Sequence, residues 1–196
     1  MIPAGAAAAE PVRIAILGDS IAAGFGLAPR DALDSQLARA LGQSGHSVRV
    51  INAGVSGDTT AGGLARLDWM LADRPAIVIV ELGGNDGLRG IDPRASEANL
   101  DAIVARLRRE NIRVLLAGML APPNLGPEYG ADFNAVFPRV AARHGVAFYP
   151  FILEGVAADP ALNQPDGIHP NARGVRVIVE RLLPHVERFL PPPRQG

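Results

Sequence analysis

The 196-residue chain contains no cysteine, so disulfides, thiolate catalysis and cysteine-ligated zinc sites are excluded. It also lacks any apolar run approaching the roughly 20 residues that a membrane helix needs, and no integral membrane segment is expected. An excess of charge is missing too, because 19 basic residues nearly balance 20 acidic ones and form no cluster. This balance argues against a nucleic-acid partner.

Apolar residues are abundant: they make up 48% of the chain, and no break in composition divides it. The length predicts one domain over residues 11–196, and a monomer or weak oligomer is expected. The preceding residues 1–10, rich in alanine, resemble the end of a signal peptide whose charged and apolar parts are missing. A flexible tail explains the same composition, so a periplasmic or secreted protein and a cytoplasmic one both stay open.

Five short apolar runs predict buried strands, and the segments after them carry apolar residues every three or four positions, as amphipathic helices do. The runs are 12–17, 48–51, 76–82, 113–117 and 146–149. Strict alternation of strand and helix predicts a parallel sheet joined by right-handed crossovers, in a three-layer α/β/α fold. Ligands bind at the carboxyl ends of the strands in such sheets.

Four polar segments are predicted to meet at that edge of the sheet. Ser20 follows the first strand, Gly57 the second and Asn85 the third, while Asp166 and His169 precede the last helix. A serine hydroxyl needs a base to take its proton during attack on a carbonyl, and an imidazole suits that task. The spacing of three residues lets Asp166 orient the ring of His169. These residues predict a nucleophile, a base and an orienting carboxylate.

Acyl transfer also needs donors for the negative charge of the tetrahedral intermediate. The backbone amides of Ser20 and Gly57 and the side-chain amide of Asn85 are the candidates. Each segment alone is also explained as ordinary turn or helix-cap chemistry. Their joint occurrence at successive strand ends favours the catalytic interpretation.

The same four segments resemble, in order and spacing, the sequence blocks of the SGNH hydrolases, also called GDSL-type esterases and lipases. Residues 51–60 (INAGVSGDTT) and 81–90 (ELGGNDGLRG) are most similar to the bacterial group of thioesterase I, lysophospholipase and arylesterase. The resemblance implies a flavodoxin-like fold, with the family's serine, glycine, asparagine and histidine on Ser20, Gly57, Asn85 and His169, and its aspartate on Asp166. It implies no metal or cofactor, and small-molecule esters or thioesters as substrates. It also favours a periplasmic or secreted protein, with a cytoplasmic one as the alternative.

Short to medium acyl chains are expected to bind beside the serine. The residues expected to contact them are Asp86, Gly87, Leu88, Pro122, Ile152 and Ile168. Three alternatives stay open: an acyltransferase or carbohydrate O-deacetylase with the same site, a non-catalytic flavodoxin-like binding domain, and a metal-dependent hydrolase. The glycines after the first strand fit no phosphate-binding motif, and the candidate metal ligands lack a familiar zinc spacing.

Overall fold

The computed structural model describes residues 10–193, in which five strands form one fully parallel sheet. The strands are β1 (Val12–Gly18), β2 (Val48–Gly54), β3 (Ile77–Glu81), β4 (Arg113–Ala117) and β5 (Ala147–Tyr149). Their order across the sheet is β2-β1-β3-β4-β5. The predicted five-stranded parallel sheet is confirmed. Of the predicted N-terminal tail, residues 1–9 lie outside the described residues.

The hydrophobic core lies on both faces of the sheet, because the central strands are buried on both sides. All five residues of β3 are buried, whereas the edge strand β2 is only partly covered. A parallel strand buried on both faces reads as a continuous apolar run, as residues 76–82 do. Helices α2 and α8 pack together, as do α6 and α7, and these pairs supply the outer layers of the predicted three-layer fold.

Eight α-helices occur within residues 10–193. They are α1 (Ser20–Ala23), α2 (Leu33–Gln43), α3 (Thr60–Ala65), α4 (Leu67–Leu71), α5 (Gly84–Leu88), α6 (Pro93–Arg109), α7 (Pro127–His144) and α8 (Ala172–Glu187). Their apolar stripes are buried as the spacing predicts, for example Leu33, Leu37 and Leu41 of α2. In this same part of the chain, none of the helices combines the length and apolarity needed to cross a bilayer.

Two local features differ from the sequence-based prediction. The apolar pattern of Leu64, Leu67 and Leu71 predicts one helix, but the chain forms two short helices that break at Arg66, where φ is −105° and ψ is 10°. The polar segments after β1 and β3 are expected to be loops, and they instead wind into α1 and α5. These helical turns fix which side chains face outward at the carboxyl ends of the strands and which face the core.

Candidate active site

The order of the strands brings the predicted site residues together. Strand β1 lies between β2 and β3, and Gly18 at its end pairs in register with Gly54 and Glu81. Ser20 therefore begins α1 directly beside the chain segments that leave β2 and β3. A side chain at position 18 would collide with the Glu81 carboxyl group and with Ala22, so glycine is needed for this close packing.

Ser20, His169 and Asp166 form one chain of hydrogen bonds. The Oγ of Ser20 lies 2.9 Å from Nε2 of His169, and Nδ1 of the same ring lies 2.7 Å from Oδ2 of Asp166. A carboxylate only accepts, so Nδ1 carries the proton and Nε2 is left to accept from the Ser20 hydroxyl. The imidazole thus has the tautomer that a general base for Ser20 requires.

Asp166 is held ionised by the backbone of its own turn. Its Oδ1 accepts the N–H groups of His169 at 3.0 Å and Ile168 at 2.9 Å. These bonds, together with the bond from the His169 ring, lower the pKa of Asp166 to about 2. The carboxylate therefore keeps its negative charge wherever His169 can act as a base.

Phe25 and Gln164 connect the histidine segment to the serine segment. The ring of Phe25 lies against the His169 imidazole, with centroids 4.6 Å apart, and is itself half exposed. The side-chain amide of Gln164 donates to the carbonyl of Phe25 at 2.7 Å and to that of Pro170 at 3.0 Å. These contacts restrain the imidazole and hold the two segments together. Sequence reasoning did not single out either residue, although an aromatic side chain between Gly24 and Gly26 is a detectable signal.

The three predicted oxyanion donors differ in their hydrogen bonding. The backbone N–H groups of Ser20 and Gly57 have no acceptor among residues 10–193. Asn85 instead uses its side-chain Nδ2, which donates to the carbonyl of Asp58 at 2.9 Å and to Oδ2 of Asp19 at 3.2 Å. The φ of +86° at Gly57 lies in the left-handed region, which favours glycine.

Two buried carboxyl groups lie behind the serine. Asp19 caps α1 by accepting the N–H of Ile21 at 3.0 Å, and its own N–H donates to Oε2 of Glu81 at 3.3 Å. Burial raises the pKa of Asp19 to about 6 and raises the pKa of Glu81 well above its ordinary value. The hydrogen bond from the Ile21 N–H and the charge that His169 can carry offset part of this rise in the Asp19 pKa.

The raised pKa of Asp19 predicts a pH-dependent cost to folding. The folded chain holds this proton more tightly than the unfolded chain, so the contribution of Asp19 to stability falls as pH rises from about 4 to about 6. The free energy of unfolding of wild type minus that of Asp19→Asn should therefore fall by on the order of 3 kcal/mol over this range. Urea denaturation at a series of pH values measures it. Asp73→Asn, at an exposed aspartate, is the control, and a pH-independent difference for Asp19→Asn would contradict the prediction.

A mostly apolar cleft of about 380 Å³ opens beside Ser20. Its lining includes Asn85 and His169, and its apolar wall is formed by residues from the segments after β3, β4 and β5 and from the histidine turn. These wall residues include Leu88, Met119, Leu120, Pro122, Phe151, Leu153 and Ile168. Three of the six expected substrate contacts, Leu88, Pro122 and Ile168, thus line the cleft.

The other three expected contacts, Asp86, Gly87 and Ile152, do not line this cleft. The carboxylate of Asp86 points into the core, where it accepts from the Thr60 N–H, the Thr60 hydroxyl and the Ser96 hydroxyl at 2.6 to 2.9 Å. Gly87 packs beneath Phe133 and Pro122, and Ile152 is fully buried. Successive residues of a helical turn point about 100° apart, so Asp86 faces away from the cleft that its neighbour lines.

A hydroxyl, an imidazole and a carboxylate bonded in this order beside an apolar cleft have the geometry of a serine hydrolase site. The cleft lies at the carboxyl ends of the strands, where open α/β sheets bind their ligands. The fold and the site are together those of a hydrolase.

Comparison with known proteins gives the family. The model of the GDSL-like lipase/acylhydrolase family matches residues 16–177. Esterase TesA of Pseudomonas aeruginosa is 43% identical over 176 residues, which cover 89% of this chain and 88% of the relative. Thioesterase 1/protease 1/lysophospholipase L1 of Escherichia coli K12 is 42% identical over 85% of this chain and 78% of its own length. The chain belongs to the GDSL-like lipase/acylhydrolase family, and it is a carboxylic ester hydrolase.

A solved structure supports the same assignment. The crystal structure of TesA has a TM-score of 0.87 and 42% sequence identity, and the match covers 91% of this chain and 99% of that chain. The predicted α/β fold and the predicted family are both confirmed.

Proposed function

We propose that the chain is a serine esterase that hydrolyses carboxylic esters and thioesters of short to medium acyl chains through an acyl-serine intermediate. The observation that carries the proposal is the pair of hydrogen bonds from Ser20 Oγ to His169 Nε2 and from His169 Nδ1 to Asp166, at 2.9 and 2.7 Å. This chain of bonds lies at an apolar cleft large enough for a small ligand.

Acylation begins with the Ser20 hydroxyl. His169 Nε2 takes the hydroxyl proton as Oγ attacks the carbonyl carbon, and the carbonyl π electrons move to its oxygen. Ionised Asp166 stabilises the imidazolium that forms. The intermediate then collapses, His169 gives the proton to the leaving alcohol or thiol, and the acyl group stays on Ser20. Water repeats the sequence against the acyl-serine and releases the acid.

The oxyanion of each tetrahedral intermediate needs preorganised donors. The free N–H groups of Ser20 and Gly57 support their assignment as two of these donors. Asn85 supplies the third by releasing one of its two present acceptors. Asp19 holds the longer of those bonds, 3.2 Å against 2.9 Å, so we assign the released hydrogen to that contact.

The acceptor of the acyl group is water in this proposal. The side chain of Asp166 is 38% exposed and that of His169 is 19% exposed, so solvent reaches the triad directly. Transfer to an alcohol or a sugar, the alternative use of the same site, would give a new ester instead of a free acid. Thioesters are included because the relative from Escherichia coli carries thioesterase in its name.

The dimensions of the cleft predict the acyl preference. At about 380 Å³ the cleft is near the lower end of ligand pockets, which span roughly 300 to 1,000 Å³. A series of p-nitrophenyl esters from acetate to palmitate should therefore show its highest kcat/KM between butyrate and octanoate, with free acid as the product. A maximum at palmitate would contradict the proposed chain length, and ester formation with added methanol in place of acid would favour the transferase.

A further inference from the structure

Arg66 occupies the break between α3 and α4, and its guanidinium points into the protein, because only 17% of the side chain is exposed. Its Nε donates to Oδ2 of Asp58 at 2.5 Å. Its Nη1 donates to the carbonyl of Ala53 at 2.7 Å, and its Nη2 donates to the carbonyl of Gly18 at 2.8 Å. One side chain thus joins the ends of β1 and β2 to the segment that follows β2.

Two of the three residues that the guanidinium contacts, Gly18 and Asp58, are close in the chain to proposed oxyanion donors. The Gly18 carbonyl lies two residues before Ser20, whose N–H is one donor. Asp58 directly follows Gly57, whose N–H is the second. The backbone carbonyl of Asp58 also accepts the Asn85 side-chain amide, the third donor, at 2.9 Å.

The chemistry of arginine explains why this residue type is suited to the position. The guanidinium is planar and carries five N–H donors in a fixed geometry, so it binds several acceptors in fixed directions at once. Arg66 does not line the cleft. Its bonds instead fix the relative positions of three chain segments, and oxyanion donors lose effect when displaced by fractions of an ångström.

We propose that Arg66 is the positioning residue of the oxyanion hole and that it acts through Gly18 and Asp58 on the donors of Ser20, Gly57 and Asn85. The inference rests on the proposed function. It gives one side chain contacts beside donors that come from three different strand ends, whereas Arg89 contacts one of these segments alone, through a 2.9 Å hydrogen bond from its Nη2 to the Gly57 carbonyl.

Arg66→Met and Arg66→Lys test the inference in the full chain. Both should lower kcat for p-nitrophenyl butyrate by about 10²-fold, as loss of an oxyanion donor does, with KM changed by less than about threefold. Lysine should not restore activity, because one ammonium cannot reach all three acceptors. Affinity for an alkyl trifluoromethyl ketone, which forms a tetrahedral adduct, should weaken in proportion to kcat. Arg106→Met removes a partly exposed arginine paired with Asp68 and Glu110 and should leave kcat unchanged.

A double-mutant cycle separates positioning from simple stabilisation. Because Asn85 is one of the three donors that Arg66 positions, Arg66→Met should cost less in an Asn85→Ala background, about tenfold. Equal losses in the two backgrounds would overturn the role toward Asn85, and wild-type kcat per folded molecule in either Arg66 variant would overturn the whole inference. If Arg66→Met does not fold, Asp58→Asn tests the same ion pair and should lower kcat about tenfold. An unchanged kcat in that variant would overturn the inference.

The outcomes also distinguish this inference from the proposed function. Wild-type turnover by Ser20→Ala would refute the serine mechanism itself. Active Arg66 variants beside an inactive Ser20→Ala variant would refute only the positioning role.

Discussion

Replacing Ser20 with alanine should lower kcat/KM for p-nitrophenyl butyrate by roughly 10⁴- to 10⁶-fold. The reason is that His169 Nε2, now 2.9 Å from the Ser20 oxygen, would have no hydroxyl to deprotonate and the acyl-serine could not form. The backbone N–H of residue 20 remains in the variant, so a residual rate above that of water is expected from the oxyanion donors and from binding.

The Ser20→Ala variant should fold as the wild type does, because only one oxygen at the edge of the cleft is removed and such changes rarely exceed about 0.5 kcal/mol. Circular dichroism and thermal unfolding check this. Ser47→Ala, at an exposed serine directly before β2 and thus at the end of that strand away from the site, is the matched control. Wild-type turnover by Ser20→Ala would refute the proposed mechanism.

Replacing His169 with alanine is expected to have the second largest effect, again roughly 10⁴- to 10⁶-fold in kcat. The hydroxyl of Ser20 would lose its base, and Asp166 would lose the ring that it orients through a 2.7 Å bond. Because Ser20 and His169 act in the same proton transfer, the double variant should be about as slow as either single variant. Steady-state kinetics on the three variants measures this.

His144→Ala is a stringent control for His169→Ala. His144 also pairs with an aspartate, since its Nε2 lies 2.9 Å from Oδ1 of Asp101 on the neighbouring helix. A histidine–aspartate pair outside the cleft should be dispensable for turnover. Comparable losses from the two histidine variants would show that the effect is structural and would contradict the assignment of the base.

The local part of the site was the most predictable from sequence. Asp166 and His169 are three residues apart, and a turn of that length lets a carboxylate meet both the ring and the backbone N–H of the histidine. The contact between Ser20 and His169 spans 149 residues and follows from sequence only through the predicted sheet, whose parallel strands end at one edge. The alternation of apolar runs and helical patterns was sufficient for that step.

The sequence did not predict in which direction each side chain points in the segments that were expected to be loops. Asn85 and Asp86 are neighbours in a segment expected to be a loop, and the helical turn α5 sends one toward the cleft and the other into the core. Leu153 and Ile152 divide in the same way. A loop has no fixed period, so sequence alone gives no basis for choosing which of two adjacent residues reaches a ligand.

Arg66 shows a second limit of sequence reasoning. An arginine between leucines in an amphipathic pattern is normally assigned to the solvent-exposed face of a helix. Here the helix breaks at that residue, and the guanidinium reaches the carbonyls of Gly18 and Ala53. Such a role depends on distant backbone acceptors, which no local pattern specifies.

Mass spectrometry of the enzyme trapped during turnover tests the central claim most directly. Wild-type protein is mixed with excess p-nitrophenyl butyrate, and the reaction is quenched in acid during steady-state turnover. The protein is then digested, and the modified peptides are identified. We predict a butyryl group on the peptide that contains Ser20, bonded to the Ser20 hydroxyl oxygen. The group should be absent from Ser20→Ala, and it should form far more slowly in His169→Ala. A butyryl group on a different residue in the active wild-type enzyme, with Ser20 unmodified, would contradict the account.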